Sequence, residues 1–246
     1  ENVRTTIGRE GSDYSAAIIA NCLNASELTV WKDVPGLLNA DPKHFPEAQN
    51  LKHISYHETV ELAYYGASVI HPRSLQPLKA KNIPLYIRSF INSESYSLID
   101  GNSHSDGEIP SFTIKENQIL FSISARDFGF IDAKELTVIL ELFTNHHFHI
   151  RLLQNSALNF SIVADENPLQ LEELLKQLQI EYSVKYNRNL SLLTIRHLPK
   201  VEVSSVFNEA EILLELKSRL TQQFVILTSD LEKNRKKLFP FLTSKK

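Results

Sequence analysis

The chain has 246 residues, 42% of them hydrophobic, and a net charge of −3 with both signs interspersed. This composition indicates a soluble globular protein and gives no basis for binding nucleic acid or a membrane. No apolar run approaches the roughly 20 residues of a membrane span and no secretory signal opens the sequence, so we expect a cytoplasmic protein. One cysteine, Cys22, and scattered histidines leave no disulfide and no metal-ligand spacing.

The first feature along the chain is a glycine-containing loop at residues 8–14, which continues directly into a small and apolar run. Its two glycines free the backbone to approach an anion, and Ser12 and Asp13 are residues that cap helix N-termini. We therefore predict a phosphate-type loop that leads into a helix over residues 12–23. An open α/β sheet normally places a strand before such a loop, so we expect the N-terminal part of this domain to be missing.

Helical and strand patterns then alternate as far as residue 90. Apolar spacing, β-prone runs and turn residues predict strands at 28–31 and 83–90 and helices at 55–66 and 74–81. Ser55 and Glu58 have the spacing of a capping box at the start of the first of these helices. The alternation indicates an α/β layered domain.

A polar segment at residues 92–110 interrupts this alternation and is predicted to be a linker, with a domain boundary near Gly107. The elements beyond it follow the order β-α-β-β-α-β of a ferredoxin-like module. They are strands at 118–124, 148–154, 159–164 and 180–186 and helices at 133–145 and 169–178.

The remainder of the chain begins the same order again with a strand at 190–196. A short helix at 201–208, a hairpin at 212–227 and a closing helix at 231–239 are predicted next. Residues 212–217 fit a helix equally well on pattern alone. Two small tandem modules of this kind usually bind small effectors or each other.

Polar residues at the end of a predicted strand are the first candidates for chemistry. Lys32 and Asp33 follow the strand at 28–31, at the edge where open α/β sheets bind ligands. A charged turn is an equally good interpretation of these two residues. Lys43 and His71 lie in further turns and indicate nothing by themselves.

Taken together, these segments resemble the aspartokinase family in order and approximate spacing. The matching blocks are residues 5–14, Trp-Lys-Asp-Val-Pro-Gly-Leu at 31–37, Ala-Asp-Pro at 40–42 and Tyr-Gly-Ala-Ser-Val-Ile-His-Pro at 65–72. The resemblance implies an α/β fold in which the C-terminal portion of an amino-acid-kinase domain, an open α/β sheet, precedes tandem ferredoxin-like ACT domains. We place these parts at residues 1–106, 107–188 and 189–246.

The family phosphorylates the side-chain carboxylate of L-aspartate with ATP and Mg, the first step towards lysine, threonine and methionine. The resemblance implies that Arg9 holds the α-carboxylate of aspartate, for which bidentate geometry favours arginine. Ser12 and Asp13 would bind the substrate beside the phosphate-binding lysines, with Asp13 as the catalytic residue.

The same resemblance places the nucleotide against Lys32 and Asp33, with Asp33 near the ribose or adenine and Lys43 reaching the phosphates. Four positions depart from the family pattern and alter the expected nucleotide contacts: Glu10, Lys32, Leu38 and Ser68. The family's Lys-Phe-Gly-Gly loop, which supplies a catalytic lysine, does not occur in this sequence. We therefore expect the chain alone to have no useful kinase activity.

The ACT region resembles the part of the family that binds inhibitory lysine or threonine. Asp127, Phe130, Asn155 and Ser156 fall at the matching positions and are the candidate effector-binding residues. Arg151 occupies a position where lysine-sensitive members can carry Asp, and a cation there would repel the ammonium of lysine. A homodimer formed through the ACT domains is expected.

Two functions remain open on the sequence. The chain is the C-terminal part of a monofunctional, feedback-regulated aspartokinase, or it is an amino-acid-binding regulatory or dimerisation module without catalysis.

Overall fold

The computed structural model describes residues 11–67, 69–127, 129–198, 206–207 and 212–242. Its helices are α1 (Gly11–Leu23), α2 (Tyr56–Tyr65), α3 (Pro72–Lys79), α4 (Ala133–Asn145), α5 (Leu171–Glu181), α6 (Thr228–Asn234) and α7 (Phe239–Leu242), with a 3-10 helix at Arg235–Leu238. Its strands are β1 (Leu28–Lys32), β2 (His53–Ser55), β3 (Leu85–Ser89), β4 (Tyr96–Asp100), β5 (Ser111–Ala125), β6 (Ile150–Asn155), β7 (Phe160–Asp165), β8 (Tyr182–Arg196), β9 (Ile212–Lys217) and β10 (Thr221–Leu227).

The first sheet has four strands in the order β1-β3-β4-β2. The pairs β1–β3 and β2–β4 are parallel, and β3–β4 is antiparallel. Leu85 and Ile87 alternate inward on β3 and are fully buried, where they join Leu75 and Leu78 of α3 and Ala17 of α1 in one core. The predicted α/β layering of this region is confirmed.

The prediction that residues 92–110 form only a linker is wrong, because β4 lies within this segment. Ile99 on β4 is fully buried in the core of the first sheet. Ser97, also fully buried, accepts a hydrogen bond of 2.8 Å from the backbone N–H of Leu37. The strand pattern is hard to recognise in the sequence, because Ser, Asn and Asp residues surround it and only two of its positions, Ser97 and Ile99, are buried.

The second sheet has six strands in the order β6-β7-β5-β8-β10-β9, and every neighbouring pair is antiparallel. Phe121, Ile139 and Leu174 are fully buried in the core between one half of this sheet and helices α4 and α5. A second core, which includes Phe224 and Leu238, covers the other half. The order β-α-β-β-α-β of the first module is therefore confirmed.

Two strands of 15 residues, β5 and β8, run through both halves of this sheet. The strands predicted separately at 180–186 and 190–196 form one strand, β8. Asn189 lies between them with a φ of 57°, close to the place where the pairing with β5 changes register. Residues 111–115 of β5 pair with residues 192–196 of β8, whereas residues 118–125 pair with residues 182–190. The half of the sheet that contains β9 and β10 therefore also includes residues 111–115, from before the expected boundary at residue 188.

The C-terminal hairpin is confirmed, and the helical alternative for residues 212–217 is wrong. β9 pairs with β10 around a turn in which the backbone N–H of Ser218 donates to the carbonyl of Thr221. The predicted closing helix is divided into α6, the 3-10 helix and α7. The predicted short helix at 201–208 lies outside the described residues, apart from 206–207.

Candidate active site and effector cavity

An ion pair joins two of the predicted site residues. Lys32, the last residue of β1, places its Nζ 2.7 Å from Oδ2 of Asp13, in the first turn of α1. Asp13 is buried, with a side-chain exposure of 8%, whereas the side chain of Lys32 keeps 26%. The end of β1 and the N-terminus of α1 are therefore joined by an ion pair, and the lysine of this pair remains accessible to solvent.

The neighbouring predicted residues are less constrained. Ser12 and Asp33 are both exposed, and neither side chain has a hydrogen bond or ion pair in the described part of the chain. Trp31, which precedes Lys32, stacks on Phe90 with ring centroids 5.5 Å apart. Arg9 and Glu10 lie outside the described residues, as does Ser68, so their predicted roles stay predictions.

The loop after β1, residues 34–43, is held by buried hydrogen bonds. Gly36 has a φ of +128°, and a Cβ there would lie 2.6 Å from Oγ of Ser97, so only glycine fits. Asn39 is buried and donates through Nδ2 to the carbonyl oxygens of Pro110 (2.9 Å) and Leu242 (3.1 Å). Leu242 belongs to α7, which shares a core with strands of the second sheet, so this C-terminal helix helps to hold the loop in place.

A cavity of about 310 Å³ lies between this loop, the C-terminal end of α2 and the first residues of β5. We call it the loop cavity. Lys43 lines it, and the backbone N–H of Lys43 donates to Oδ1 of Asp41 at 2.9 Å. Leu38 also lines the cavity. Lys32 and Asp33 do not, so the three predicted nucleotide-binding residues do not share one cavity.

A buried ionic cluster joins α2 to the second sheet. Arg196 at the end of β8 donates Nε and Nη2 to the two carboxylate oxygens of Glu58, at 2.8 and 2.7 Å. Its Nη1 donates to Glu61 (3.0 Å) and to Oγ1 of Thr221 (2.7 Å). Nε2 of His197 lies 3.0 Å from Glu58. The carboxylate of Glu58 therefore lies between the guanidinium of Arg196 and the ring of His197.

The pKa of Glu58 reflects this setting. Burial raises this pKa, but the hydrogen bonds and charges of Arg196 and His197 outweigh burial and lower it to about 2. Gly107 packs against the ring of His197 with a φ of +77°, and a Cβ there would lie 2.5 Å from Nδ1. The segment predicted as a domain boundary is thus part of a tight contact.

The predicted effector residues lie on two adjoining loops. Residues 126–130 follow β5 and residues 156–159 precede β7, and the two strands pair through Ile123 and Phe160. Between the loops lies an open cavity of about 560 Å³, which we call the module cavity. It is lined by Ser124, Ala125, Arg126, Gly129, Leu158, Asn159 and Ser183.

None of the four predicted residues lines the module cavity itself, but each lies within four residues of one that does. Oδ1 of Asp127 accepts the backbone N–H of Gly129 at 2.9 Å and shapes the first loop. Oγ of Ser156 accepts the N–H of Asn159 at 3.1 Å and shapes the second. Phe130 is 74% exposed. Ser156 also lines a second open cavity of about 400 Å³, to which Lys185 contributes as well.

Arg151 does not act as the free cation that the sequence led us to expect. Its Nε donates to Oδ1 of Asp165 at 2.8 Å, and a second contact from Nη2 makes the pair bidentate. Burial raises the pKa of Asp165, but hydrogen bonds from Arg151 and Gln118 and the positive charges nearby lower it overall. Asp165 therefore offsets the positive charge that was expected to repel the ammonium of lysine.

The ionic cluster was not predicted from the sequence. Glu58 was assigned to a capping box, and Ser55 does accept the N–H of Glu58 at 3.0 Å, but the carboxylate binds Arg196 instead. An arginine at the end of the apolar strand at 190–196 was the available signal. No sequence spacing links residues 138 positions apart.

No group of three or more His, Cys, Asp or Glu side chains in the described residues has the arrangement of a metal site. None of the helices described is long and apolar enough to cross a membrane.

Comparison with known proteins places this geometry in a class. A family model described as the amino acid kinase family matches residues 1–89, the region that carries the Asp13–Lys32 pair. The chain is 45% identical over 120 residues to the bifunctional aspartokinase/homoserine dehydrogenase of Haemophilus influenzae, covering 48% of this chain and 15% of that protein. It is 32% identical over 204 residues to the Buchnera aphidicola protein of the same name, covering 77% and 24%. Aspartokinase 2 of Arabidopsis thaliana is 31% identical over 179 residues, covering 70% and 32%.

Solved structures agree on the fold. Escherichia coli aspartokinase III in complex with lysine and aspartate matches with a TM-score of 0.80 and 24% identity, over 98% of this chain and 57% of that one. Clostridium acetobutylicum aspartate kinase matches with a TM-score of 0.83 and 21% identity, over 97% and 59%.

The fold is therefore that of the solved aspartokinases, and residues 1–89 match the amino acid kinase family. Within that class the chain belongs to the aspartokinase family, and the resemblance seen in the sequence is confirmed. The chain spans 15 to 32% of the length of the three relatives described.

Proposed function

We propose that this chain forms part of an aspartate kinase, which transfers a phosphoryl group from ATP with Mg to the side-chain carboxylate of L-aspartate. The observation that carries the proposal is the ion pair between Lys32 and Asp13, located where a strand end meets a helix N-terminus. Its place within the segment matched by the amino acid kinase family supports a role in chemistry over a merely charged turn.

Phosphoryl transfer between two anions requires positive charge around the transferring group and little covalent help from the protein. Lys32 supplies such a charge, and Asp13 fixes its position at 2.7 Å. Arg9 and Ser12 would complete the aspartate side, with Arg9 as a bidentate partner for the α-carboxylate. Asp13 thus acts on the reacting groups through the lysine that it orients.

The loop cavity is the proposed nucleotide site. Its lining is largely apolar, which suits a purine ring, and Lys43 suits the phosphates. Asp33, exposed beyond β1, would lie near the ribose. ATP supplies the phosphoryl group, and Mg offsets its charge.

The proposed regulation is feedback by lysine or threonine at the module cavity. The neutralised Arg151 removes an objection to lysine, and Escherichia coli aspartokinase III, of the same fold, was crystallised with lysine and aspartate. The exposed Phe130 and Leu158 fit a homodimer in which a second copy closes the open side of the cavity. We place the protein in the cytoplasm.

Calorimetric titration with L-aspartate and with ATP and Mg tests the catalytic part. We expect Lys32→Ala to weaken binding by roughly 10- to 100-fold, since it removes a charged partner. The matched control is Lys176→Ala, which removes an exposed lysine from a surface pair with Glu173. Equal affinities for all three proteins would refute the assignment of Lys32.

The second candidate is an amino-acid-binding module without catalysis, favoured by the 560 Å³ module cavity. Titration with lysine and threonine, beside aspartate and ATP, separates the two. Heat from an amino acid effector with none from aspartate or ATP supports the module. Heat from aspartate and ATP supports the kinase. The expected lack of turnover by this chain alone stays a prediction, which a steady-state assay checks.

A further inference from the structure

Four neighbouring strands of the second sheet align polar side chains in one row. Gln154 of β6 pairs with Ser161 of β7. Ser161 pairs in turn with Ser122 of β5, and Ser122 pairs with Lys185 of β8. The side chains of directly opposed residues project from the same face of a sheet. We call these four residues the donor row.

The donor row projects away from the helices that cover this part of the sheet. Phe121 and Ile123, on either side of Ser122 along β5, are fully buried in the core that the sheet shares with α4 and α5. The two neighbours of Ser161 along β7 belong to the same core. Because successive side chains of a strand alternate between the two faces, the row lies on the face that these helices leave uncovered.

All four side chains of the donor row line the second open cavity, of about 400 Å³. Ser156 and Asn159, from the loop between β6 and β7, complete its lining. Within the described part of the chain, no side chain of the row makes a hydrogen bond or an ion pair. The hydroxyls of Ser122 and Ser161 are open to solvent, and the other two residues of the row are exposed. The row therefore offers unpaired donors to a molecule in this cavity.

The charges around this cavity favour an anion. Of the described residues that line it, Lys185 alone is charged, and none is a carboxylate. Asp165, at the end of β7, already pairs with Arg151. Glu166, the next residue, pairs with Arg188. An ammonium, two hydroxyls and an amide are donors of the kind that bind carboxylate or phosphate oxygens.

We propose that the donor row is a binding site for a small oxyanion, a carboxylate or a phosphate, at which Lys185 supplies the positive charge. The hydroxyls of Ser122 and Ser161 and the amide of Gln154 donate hydrogen bonds to its oxygens. A volume of about 400 Å³ suits a molecule of metabolite size. Asn159 also lines the module cavity, so the oxyanion site adjoins the proposed effector site but shares no other lining residue with it.

The test is an NMR titration of the whole isotope-labelled chain, in which the backbone amide signals of Ser122 and Ser161 report on this site. Inorganic phosphate and succinate are the probes, and sodium chloride at matched ionic strength is the blank. We expect one or both probes to shift these signals saturably and the blank to leave them unchanged. A response to phosphate alone identifies a phosphate ligand, and a response to succinate alone identifies a carboxylate. No response to either probe, or an equal response to sodium chloride, would overturn the proposal.

Variants of Lys185 assign the binding to the row. Lys185→Met should raise the Kd of the probe that binds by about 10-fold, because it removes the charge, whereas Lys185→Arg should stay within about 3-fold of the wild type. Lys185 is exposed, so neither change should lower the melting temperature. The matched control is Lys176→Met, at an exposed lysine of α5, which should leave the Kd unchanged. An unchanged Kd in Lys185→Met, or an equal rise in Lys176→Met, would refute the site.

Discussion

The two candidate cavities differ in how they are closed. The loop cavity is walled by elements of one chain, and buried hydrogen bonds of Asn39 tie its loop to Pro110 and Leu242. The module cavity lies on the surface, beside an exposed Phe130 and an exposed Leu158. A ligand in the first meets a preformed wall, whereas a ligand in the second gains burial only if another surface covers it.

The loop cavity therefore depends on contacts within the chain, whereas the module cavity needs a second surface to become enclosed. Glu58 and Arg196 are an internal contact of this kind, because both groups are almost fully buried and hydrogen-bonded to each other. Changes there should act on folding. Changes at the module cavity should act on association and effector binding.

The largest effect is expected from Arg196→Met, which leaves the buried Glu58 without its main partner. We expect a loss of about 3–5 kcal/mol in the free energy of unfolding, measured by urea denaturation. The control Arg188→Met removes a partner of Glu166 in a pair whose arginine side chain is 46% exposed, and should cost about 1 kcal/mol or less. Similar losses in both variants would contradict the central role of the cluster.

The next effect is a pH dependence of stability due to Glu58. Its pKa of about 2 in the folded protein lies below its ordinary value of 4.5, so the stabilisation is complete above pH 4.5. It is lost as the pH falls from 4.5 towards 2, by about 3 kcal/mol in all. Urea titrations at several pH values should show that the free energy of unfolding depends less on pH in Glu58→Gln than in the wild type. An identical slope in that variant would assign the effect to other carboxylates.

A smaller effect tests the open side of the module cavity. Phe130→Ala should weaken self-association by roughly tenfold, measured by sedimentation equilibrium, because it removes an exposed aromatic side chain from the surface that a second copy would cover. Leu169→Ala, at another exposed apolar residue, is the control and should leave association unchanged. A wild type that stays monomeric at all concentrations would rule out this interface.

The smallest effect is expected from Ser156→Ala in the second loop of the module cavity. It removes the hydroxyl that accepts the N–H of Asn159 at 3.1 Å, in an exposed turn. Stability should change by about 0.5 kcal/mol or less, while affinity for lysine or threonine should fall a few-fold. An unchanged affinity, measured by calorimetry beside the wild type, would remove Ser156 from the effector site.

Local patterns were sufficient for much of the fold. The helix predicted at 12–23 and the helix at 133–145 are both present, because apolar spacing and capping residues act within a few positions. The strand β4 was missed because its polar residues are buried by distant partners. The resemblance placed Asp13 beside phosphate-binding lysines, but nothing in the sequence predicted that its partner is Lys32.

The pairing of Glu58 with Arg196 and the alignment of the donor row could not be predicted from the sequence at all. The first depends on how α2 packs against the second sheet, across 138 positions, and the second depends on the register of four strands. A serine in a strand is ordinary on pattern alone, and only its cross-strand neighbours make it part of a row.

The continuity of β5 restricts where this chain can gain or lose residues. Thr113 lines one cavity and Ser124 the other, roughly 35 Å apart at about 3.3 Å per residue. An insertion within a regular stretch would turn every later side chain to the opposite face, removing one of the two walls. The pairing with β8 is irregular between Lys115 and Gln118, where Asn117 is exposed with a φ of 55°. Length changes in relatives are therefore expected around residues 116–119, where the pairing with β8 is irregular, and not in the regular stretches of the strand.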